Sequence, residues 1–101
     1  MAMTGKARAE LRADAHHLSV LVHIGNNGLT PTVLQTIDDT LRTHELLKLQ
    51  VGKGGELTAK EAARSVAEQM GAEVVQVIGR TFTLYRENPE LDRRKGPPWR
   101  S

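Results

Sequence analysis

Several features common in enzymes and membrane proteins are missing from this sequence. No cysteine occurs among its 101 residues, which excludes disulfide bonds, thiolate nucleophiles and cysteine-bound metals. No stretch approaches the run of about eighteen apolar residues that a membrane helix needs, and the N-terminus has no apolar signal-peptide core. The length leaves room for one domain with a modest core. We therefore expect a monomeric, cytoplasmic, single-domain protein without membrane contact.

A strong excess of charge of one sign is also missing. Fourteen Lys and Arg residues oppose twelve Asp and Glu residues, so the net charge is only +2 at pH 7, although the sequence pI is about 9.3. Such a weak overall field does not attract a polyanion from every direction. If the protein binds nucleic acid, its basic residues must be concentrated on one face.

Motifs for catalysis and metal binding are absent as well. His16 and His17 are adjacent, and a helix would point them about 100° apart, which is a poor geometry for a shared metal. The sequence has no HExxH pattern, no P-loop and no dinucleotide fingerprint. Asp38 and Asp39 would also diverge on a helix, and no nucleophile has an evident paired base. We expect a protein that is not an enzyme and that uses no metal, cofactor or small-molecule substrate.

The first quarter of the chain predicts a helix followed by a strand. Arg8, Arg12 and His16 are spaced by four residues and would share a solvent-facing side of this helix, either as an ordinary charged surface or as a nucleic-acid contact. Residues 18–24 alternate like a strand with apolar side chains on both faces, which predicts an interior strand covered on two sides. The helix itself is predicted over residues 5–18 from an apolar stripe at spacings of three and four: Ala7, Leu11, Ala15 and Leu18.

Two further helices have clear start signals. Thr30 is a suitable N-cap with Pro31 at the first helical position, and this helix should extend to about residue 44. Thr58 and Glu61 match a capping box that opens the third helix.

Three more strands complete the pattern. The segment "ELLKLQV" follows the second helix, and "EVVQVI" and "TFTLYR" are separated only by Gly79-Arg80, which favours a type II′ turn and an antiparallel hairpin. The order α-β-α-β-α-β-β predicts a two-layer α/β fold with a four-stranded mixed sheet.

From residue 88 the composition shifts to proline and like charges. We therefore predict a domain over residues 1–87 and a flexible basic tail over 88–101, in which Trp99 has no assigned role.

The loop Gly25-Asn26-Asn27-Gly28 joins the first strand to the second helix. Glycine lets the backbone approach a ligand closely, and a helix N-terminus favours anions. A GxxG loop that enters a helix is the device with which KH domains clamp nucleotides. The same residues are also good turn formers, so the loop alone is compatible with a turn or with a site.

The wider context resembles a known family. The segments "LRADAHHLSVLVHIGNNGLTPTVLQTIDDTLRTHELLKLQV" and "AEQMGAEVVQVIGRTFTLYR" closely resemble the CRM domain, the chloroplast RNA splicing and ribosome maturation module, in its bacterial, single-domain, YhbY-like form. The resemblance covers residues 8 to 87. It departs from the family pattern at Asn26 and Asn27, where relatives often carry a basic residue, and at Ser19, where a proline is common.

The resemblance implies a fold similar to the C-terminal domain of the third bacterial translation initiation factor. It also implies binding of structured ribosomal RNA in precursors of the large ribosomal subunit, and hence a role as a ribosome assembly factor. The expected RNA-binding residues comprise the GxxG loop, the cap of the following helix and nearby cations: Gly25, Asn26, Asn27, Gly28, Thr30, Arg8, Arg12, His16, Lys48, Arg80 and Arg86. Lys53 and the tail residues Arg93, Arg94, Lys95 and Arg100 could add charge.

An alternative is a protein-interaction module that joins ribosomal particles through a protein partner. In that case Arg8 and Arg12 would pair with acidic partner residues, and the GNNG loop would be only a turn. Replacing both asparagines with aspartate distinguishes the two hypotheses, because added negative charge repels RNA whereas a turn tolerates it.

Overall fold

The secondary structure follows the predicted order. The computed structural model describes residues 4–55, 57–91 and 97–100. Three helices alternate with four strands, and a short 3-10 turn lies near the C-terminus: α1 (Gly5–Ala15), β1 (Val22–Ile24), α2 (Pro31–His44), β2 (Leu46–Val51), α3 (Ala59–Met70), β3 (Glu73–Ile78), β4 (Thr81–Tyr85) and the turn Pro98–Arg100.

Local chemistry sets the ends of these elements. Thr30 Oγ1 accepts a hydrogen bond from the N–H of Val33, and Thr58 makes both halves of the capping box with Glu61. Gly71 ends α3 in the left-handed region, with φ of 64°, where a residue without a Cβ meets no steric penalty. The sequence signals for these helix ends are therefore reliable because each reflects a local hydrogen bond or a backbone angle.

The four strands form one mixed sheet, as predicted, and their order is β1-β2-β4-β3. β1 and β2 are parallel, whereas β4 pairs antiparallel with both β2 and β3. Ile78 faces Thr81 across the two-residue turn, in which Gly79 has φ of 58°, so the predicted hairpin is confirmed. A bulge between Val74 and Gln76 interrupts the β3–β4 ladder.

One face of the sheet carries the main core. α2 and α3 pack on this face, and alternate residues of β2 and β4 point into it because side chains alternate along a strand. The fully buried members include Ile37, Leu41, Leu47, Leu49, Val66, Phe82 and Leu84.

In the described part of the chain, the opposite face is covered by α1 and Trp99, chiefly at one end. Leu11 of α1 packs there against Leu46 and Val75, and Leu18, Tyr85 and Trp99 surround this second cluster. The Trp99 ring meets Tyr85 edge-on at 5.9 Å between centroids, and its Nε1–H donates to Asp14 Oδ2 at 3.0 Å. Trp99, which had no predicted role, therefore has a structural one.

Residues 92–96 of the predicted flexible tail lie outside the described residues, and the boundary at residue 88 stays a prediction.

The prediction for the first strand was wrong in length and position. β1 has three residues rather than seven, and it lies at the edge of the sheet rather than in its interior. Val22 and Ile24 face the main core, but His23 is exposed and Leu21 is 52% exposed. An apolar side chain on each side of a short segment does not require cover on both faces, because isolated surface hydrophobics are common.

Candidate nucleic-acid interface

Three connections lie together at one end of the sheet. Parallel strands β1 and β2 end there, and the β3–β4 hairpin turns there, since Val51 N donates to Arg80 O at 2.9 Å. The three connections, together called the loop end below, are residues 25–30, residues 52–58 and Gly79-Arg80. Both α2 and α3 begin at this end, because they follow β1 and β2 directly.

The GNNG loop is a hydrogen-bonded turn. Gly28 N donates to Gly25 O at 3.0 Å, and Thr30 N donates to Gly28 O at 3.1 Å. Gly28 has φ of 70°, which favours glycine strongly. In the described part of the chain, no backbone carbonyl accepts from the N–H groups of Asn27, Leu29 or Thr32. The turn therefore keeps donors that could bind phosphate oxygens.

A second glycine loop supports this turn from behind. Gly52 N donates to Ile24 O at 2.8 Å, and a Cβ on Gly52 would lie only 3.2 Å from that oxygen. A Cβ on Gly54 would lie 3.3 Å from Asn26 Oδ1. The sequence indicated only a flexible loop here and missed this close packing. The parallel pairing of β1 with β2 places the two glycine loops side by side.

The two helix N-termini at the loop end differ in electrostatics. Glu61 occupies the first turn of α3, where hydrogen bonds from the Thr58 hydroxyl, at 2.9 Å, and from its backbone N–H hold the pKa of the Glu61 carboxyl below its usual range. α2 has no acidic residue in its first turn. Glu61 also lines the open groove between the two glycine loops. A phosphate is therefore favoured at the start of α2 and disfavoured in the groove beside Glu61.

Of the predicted cations, Arg80 lies at the loop end and Lys48 lies further along the sheet. Arg80 is exposed at the hairpin tip. Lys48 is half-buried in the middle of β2, opposite Thr83, on the face of the sheet away from α2 and α3. Lys53, exposed in the second glycine loop, adds a third positive charge at the loop end.

The predicted residues of α1 lie elsewhere. Arg8 Nη1 donates to the carbonyl of Val74, and Arg8 Nη2 lies 3.8 Å from Glu73 Oε2. These contacts are on β3, at the sheet edge opposite β1, so the GNNG loop and Arg8 are on different sides of the molecule. Arg12 and His16 are exposed at the C-terminal end of the same helix. The structure does not join the α1 residues and the loop into one site.

Arg86 is used by the fold itself. Its guanidinium donates to Asp38 Oδ1 at 2.9 Å, to the Asp38 carbonyl at 3.1 Å and to the Met70 carbonyl at 3.0 Å. It thereby joins the end of β4 to both α2 and α3. These donors face the two helices and the side chain is 22% exposed, so an RNA contact by Arg86 stays a prediction. The sequence alone does not distinguish the roles of Arg86 and Arg80. Arg86 simply follows an apolar strand, and Arg80 simply follows the glycine of a turn.

The described residues form neither a metal site nor a membrane-spanning helix. Within residues 4–55, 57–91 and 97–100, no group of three or more His, Asp or Glu side chains is arranged to hold a metal ion. No helix among the described residues is long and apolar enough to cross a membrane.

Comparison with known proteins places this arrangement in a family. Residues 3–86 match the CRS1/YhbY (CRM) domain. YqeI of Bacillus subtilis, named a probable RNA-binding protein, is 32% identical over 87% of this chain and 92% of its own length. An RNA-binding protein of Haemophilus influenzae is 35% identical over 87% of this chain and 89% of its own length.

A solved structure agrees with the sequence matches. A hypothetical protein from Staphylococcus aureus, described as a candidate RNA-binding protein, superposes with a TM-score of 0.76 at 36% identity, covering 90% of this chain and 95% of that one. The family consists of RNA-binding proteins rather than enzymes, in agreement with the expectation from the sequence. The chain therefore belongs to the CRM domain family.

Proposed function

We propose that this protein binds structured ribosomal RNA in precursors of the large ribosomal subunit and acts there as an assembly factor. RNA binding is supported by the names of its relatives, and the ribosomal target is the implication of the CRM resemblance. A cytoplasmic location and a monomeric state are parts of the same proposal.

The observation that carries the RNA-contact proposal is the chemistry of the GNNG turn. N–H groups without a backbone acceptor among the described residues lie at a helix N-terminus that has no carboxylate in its first turn. Because the loop itself has no cation, its contacts would be hydrogen bonds to the RNA backbone, with charge supplied by Arg80 and Lys53 at the same end. Such contacts position an RNA by its phosphate geometry rather than by its sequence.

The alternative, attachment through a protein partner, loses part of its support. It required Arg8 to be available for an acidic partner, whereas Arg8 already contacts Val74 and Glu73 within the chain.

The test uses two amide-to-carboxylate variants matched in charge. Asn27→Asp places a negative charge on the turn, and Gln69→Glu places the same charge on the exposed side of α3. A charge a few ångströms from a phosphate costs about 1 kcal/mol even in water, so Asn27→Asp should weaken binding to protein-free large-subunit ribosomal RNA about fivefold, whereas Gln69→Glu should leave it unchanged. Filter binding measures both affinities, after circular dichroism has shown that both variants fold.

The ribosomal part of the proposal is tested by sedimentation of cell extracts on sucrose gradients. Wild type and Gln69→Glu should appear in fractions of immature large subunits, and Asn27→Asp should shift to the top. If all three proteins co-sediment equally with immature large subunits, the loop is only a turn and does not contact RNA. If even the wild type stays at the top of the gradient, the ribosomal part of the proposal is wrong.

A further inference from the structure

Within residues 4–55, 57–91 and 97–100, α1 and Trp99 cover only part of the sheet face that lies opposite α2 and α3. Toward the loop end, four residues in register form a row across all four strands, His23, Gln50, Thr81 and Ile78. Their exposure ranges from intermediate to high, with Ile78 at 55%. On the other face, by contrast, Leu49 and Phe82 are at most 1% exposed. None of the hydrophobic packing described for α1 or Trp99 reaches this row.

A second row runs beside the first. Lys48 and Gln76 are half-buried on the same side of the sheet, and Thr83, which lies between them in register, is only 1% exposed. At their accessible positions the two rows, together called the open face below, carry two amides, an imidazole, one ammonium group and the hydroxyl of half-buried Thr81. Strands β1, β2 and β4 contain no acidic residue at all, and the one acidic residue of β3, Glu73, lies at its far end.

We propose that this open face binds unpaired nucleotides of an RNA whose backbone is held at the GNNG turn. The inference rests on the proposed function, because it extends the same RNA contact from the turn onto the sheet. His23 is two residues before Gly25, so the row begins where the turn begins. A strand of RNA leaving the turn would cross from β1 toward Arg80 at the hairpin tip.

The dimensions and chemistry fit bases. Four strands spaced by about 4.8 Å span about 14 Å, and four-stranded sheets of this width take two or three bases in RRM domains. Glutamine side chains offer a donor and an acceptor in one plane, which matches the edge of a base. The imidazole of His23 offers a surface on which a base can stack.

Charge and composition favour RNA over a protein as the occupant. The cores of protein interfaces are enriched in aromatic residues and depleted of lysine, whereas this face has Lys48 and amides at its centre. Its two exposed large apolar residues, Leu21 beside Lys48 and Ile78 on β3, lie at opposite edges of the sheet rather than at its centre. The absence of carboxylates from the two rows, together with Lys48 and the neighbouring Arg80, complements a polyanion.

The experiment separates the open face from the turn. Amide resonances of the full chain are followed by NMR during titration with a blunt RNA duplex and, separately, with single-stranded hexanucleotides of adenine, of uracil and of mixed sequence. The hexanucleotides should shift the resonances of β1, β2 and β4 and the side-chain amides of Gln50 and Gln76. The duplex should shift mainly the residues of the GNNG turn.

A matched pair of variants tests the energetics. Gln50→Glu adds a carboxylate to the open face, and Gln69→Glu adds one to α3. Since a good base-edge contact contributes about 1–3 kcal/mol, Gln50→Glu should lower hexanucleotide affinity at least fivefold and leave duplex affinity within twofold. Gln69→Glu should change neither affinity.

Four results would overturn the inference. If hexanucleotides shift only the turn, or if Gln50→Glu binds them like wild type, the open face is not a nucleotide site although the proposed RNA-binding function stands. If a protein from purified ribosomal particles, rather than RNA, binds the open face, then the face is a protein-binding site and the proposed RNA occupant is wrong. If neither RNA binds, the proposed function and this inference both fail.

Discussion

At the scale of single residues, identical side chains have different roles according to where the fold places them. Arg80 is exposed at a hairpin tip, whereas Arg86 makes three hydrogen bonds to α2 and α3. Gly25 and Gly28 also differ, although both lie in the GNNG turn, because only Gly28 of the two has a positive φ. Residue type is therefore a poor guide to role in this chain unless the backbone angle and the neighbours are known.

The two glycines of the turn allow a matched test of this point. Neither would bring a new Cβ within 4 Å of another atom, but Gly28 has φ of +70°. Gly28→Ala should therefore lower the free energy of unfolding by about 1–2 kcal/mol, the cost of a Cβ in the left-handed region, whereas Gly25→Ala should be nearly neutral. Urea denaturation measures both. Equal losses in the two variants would contradict the assigned backbone angle.

At the scale of elements, α1 is attached by few contacts. Leu11 is its main anchor in the second hydrophobic cluster, and Arg8 binds the edge of β3. Trp99 adds a contact from the far end of the chain through Asp14. α2 and α3 instead share the large core, so α1 is expected to open first, since regions with few buried contacts have the lowest local stability.

Removing Trp99 should therefore loosen α1 more than α3. Trp99→Ala loses the ring contact and the hydrogen bond, together about 1–2 kcal/mol, so amide exchange in α1 should become roughly tenfold faster with little change in α3. Trp99→Phe keeps a ring but no N–H donor and should have an intermediate effect. Hydrogen exchange followed by NMR provides the measurement, and uniform acceleration in all three helices would refute a local role for Trp99.

At the scale of the whole molecule, Arg86 and Asp38 link the elements that enclose the main core. The hydrogen bond from Arg86, followed by the charges of Arg86 and Arg42, holds the pKa of the Asp38 carboxyl below its usual range, although partial burial opposes this shift. A carboxyl with a lower pKa in the folded state stabilises the fold above its unfolded pKa. That stabilisation is lost as the pH falls through the folded pKa.

The stability of the wild type should accordingly decrease on acidification below about pH 4, and Asp38→Asn should flatten this dependence. Arg86→Met should flatten it as well, because it removes the main cause of the shift. At neutral pH it should also cost about 2 kcal/mol, the range for hydrogen bonds to charged groups. Chemical denaturation at a series of pH values tests this, and an unchanged slope in both variants would show that other groups dominate the acid response.

The sequence by itself determined the order of elements, the helix caps, the β3–β4 hairpin and the family. These depend on local rules: Thr30 and Thr58 cap helices through neighbours three residues away, and Gly79 turns a hairpin through its own backbone angle. The GNNG loop was also recognisable, because its spacing and its position before a helix are both visible in the sequence.

Only the tertiary structure decided which residues share a surface. The strand order β1-β2-β4-β3 puts Arg8 at one sheet edge and the GNNG turn at the other, packs Gly52 against Ile24, and aligns His23 with Gln50 and Thr81. It also brings Trp99 to Asp14, 85 residues earlier in the chain. Such pairs form because distant segments bury a common core, and no local pattern in the sequence records which segments meet.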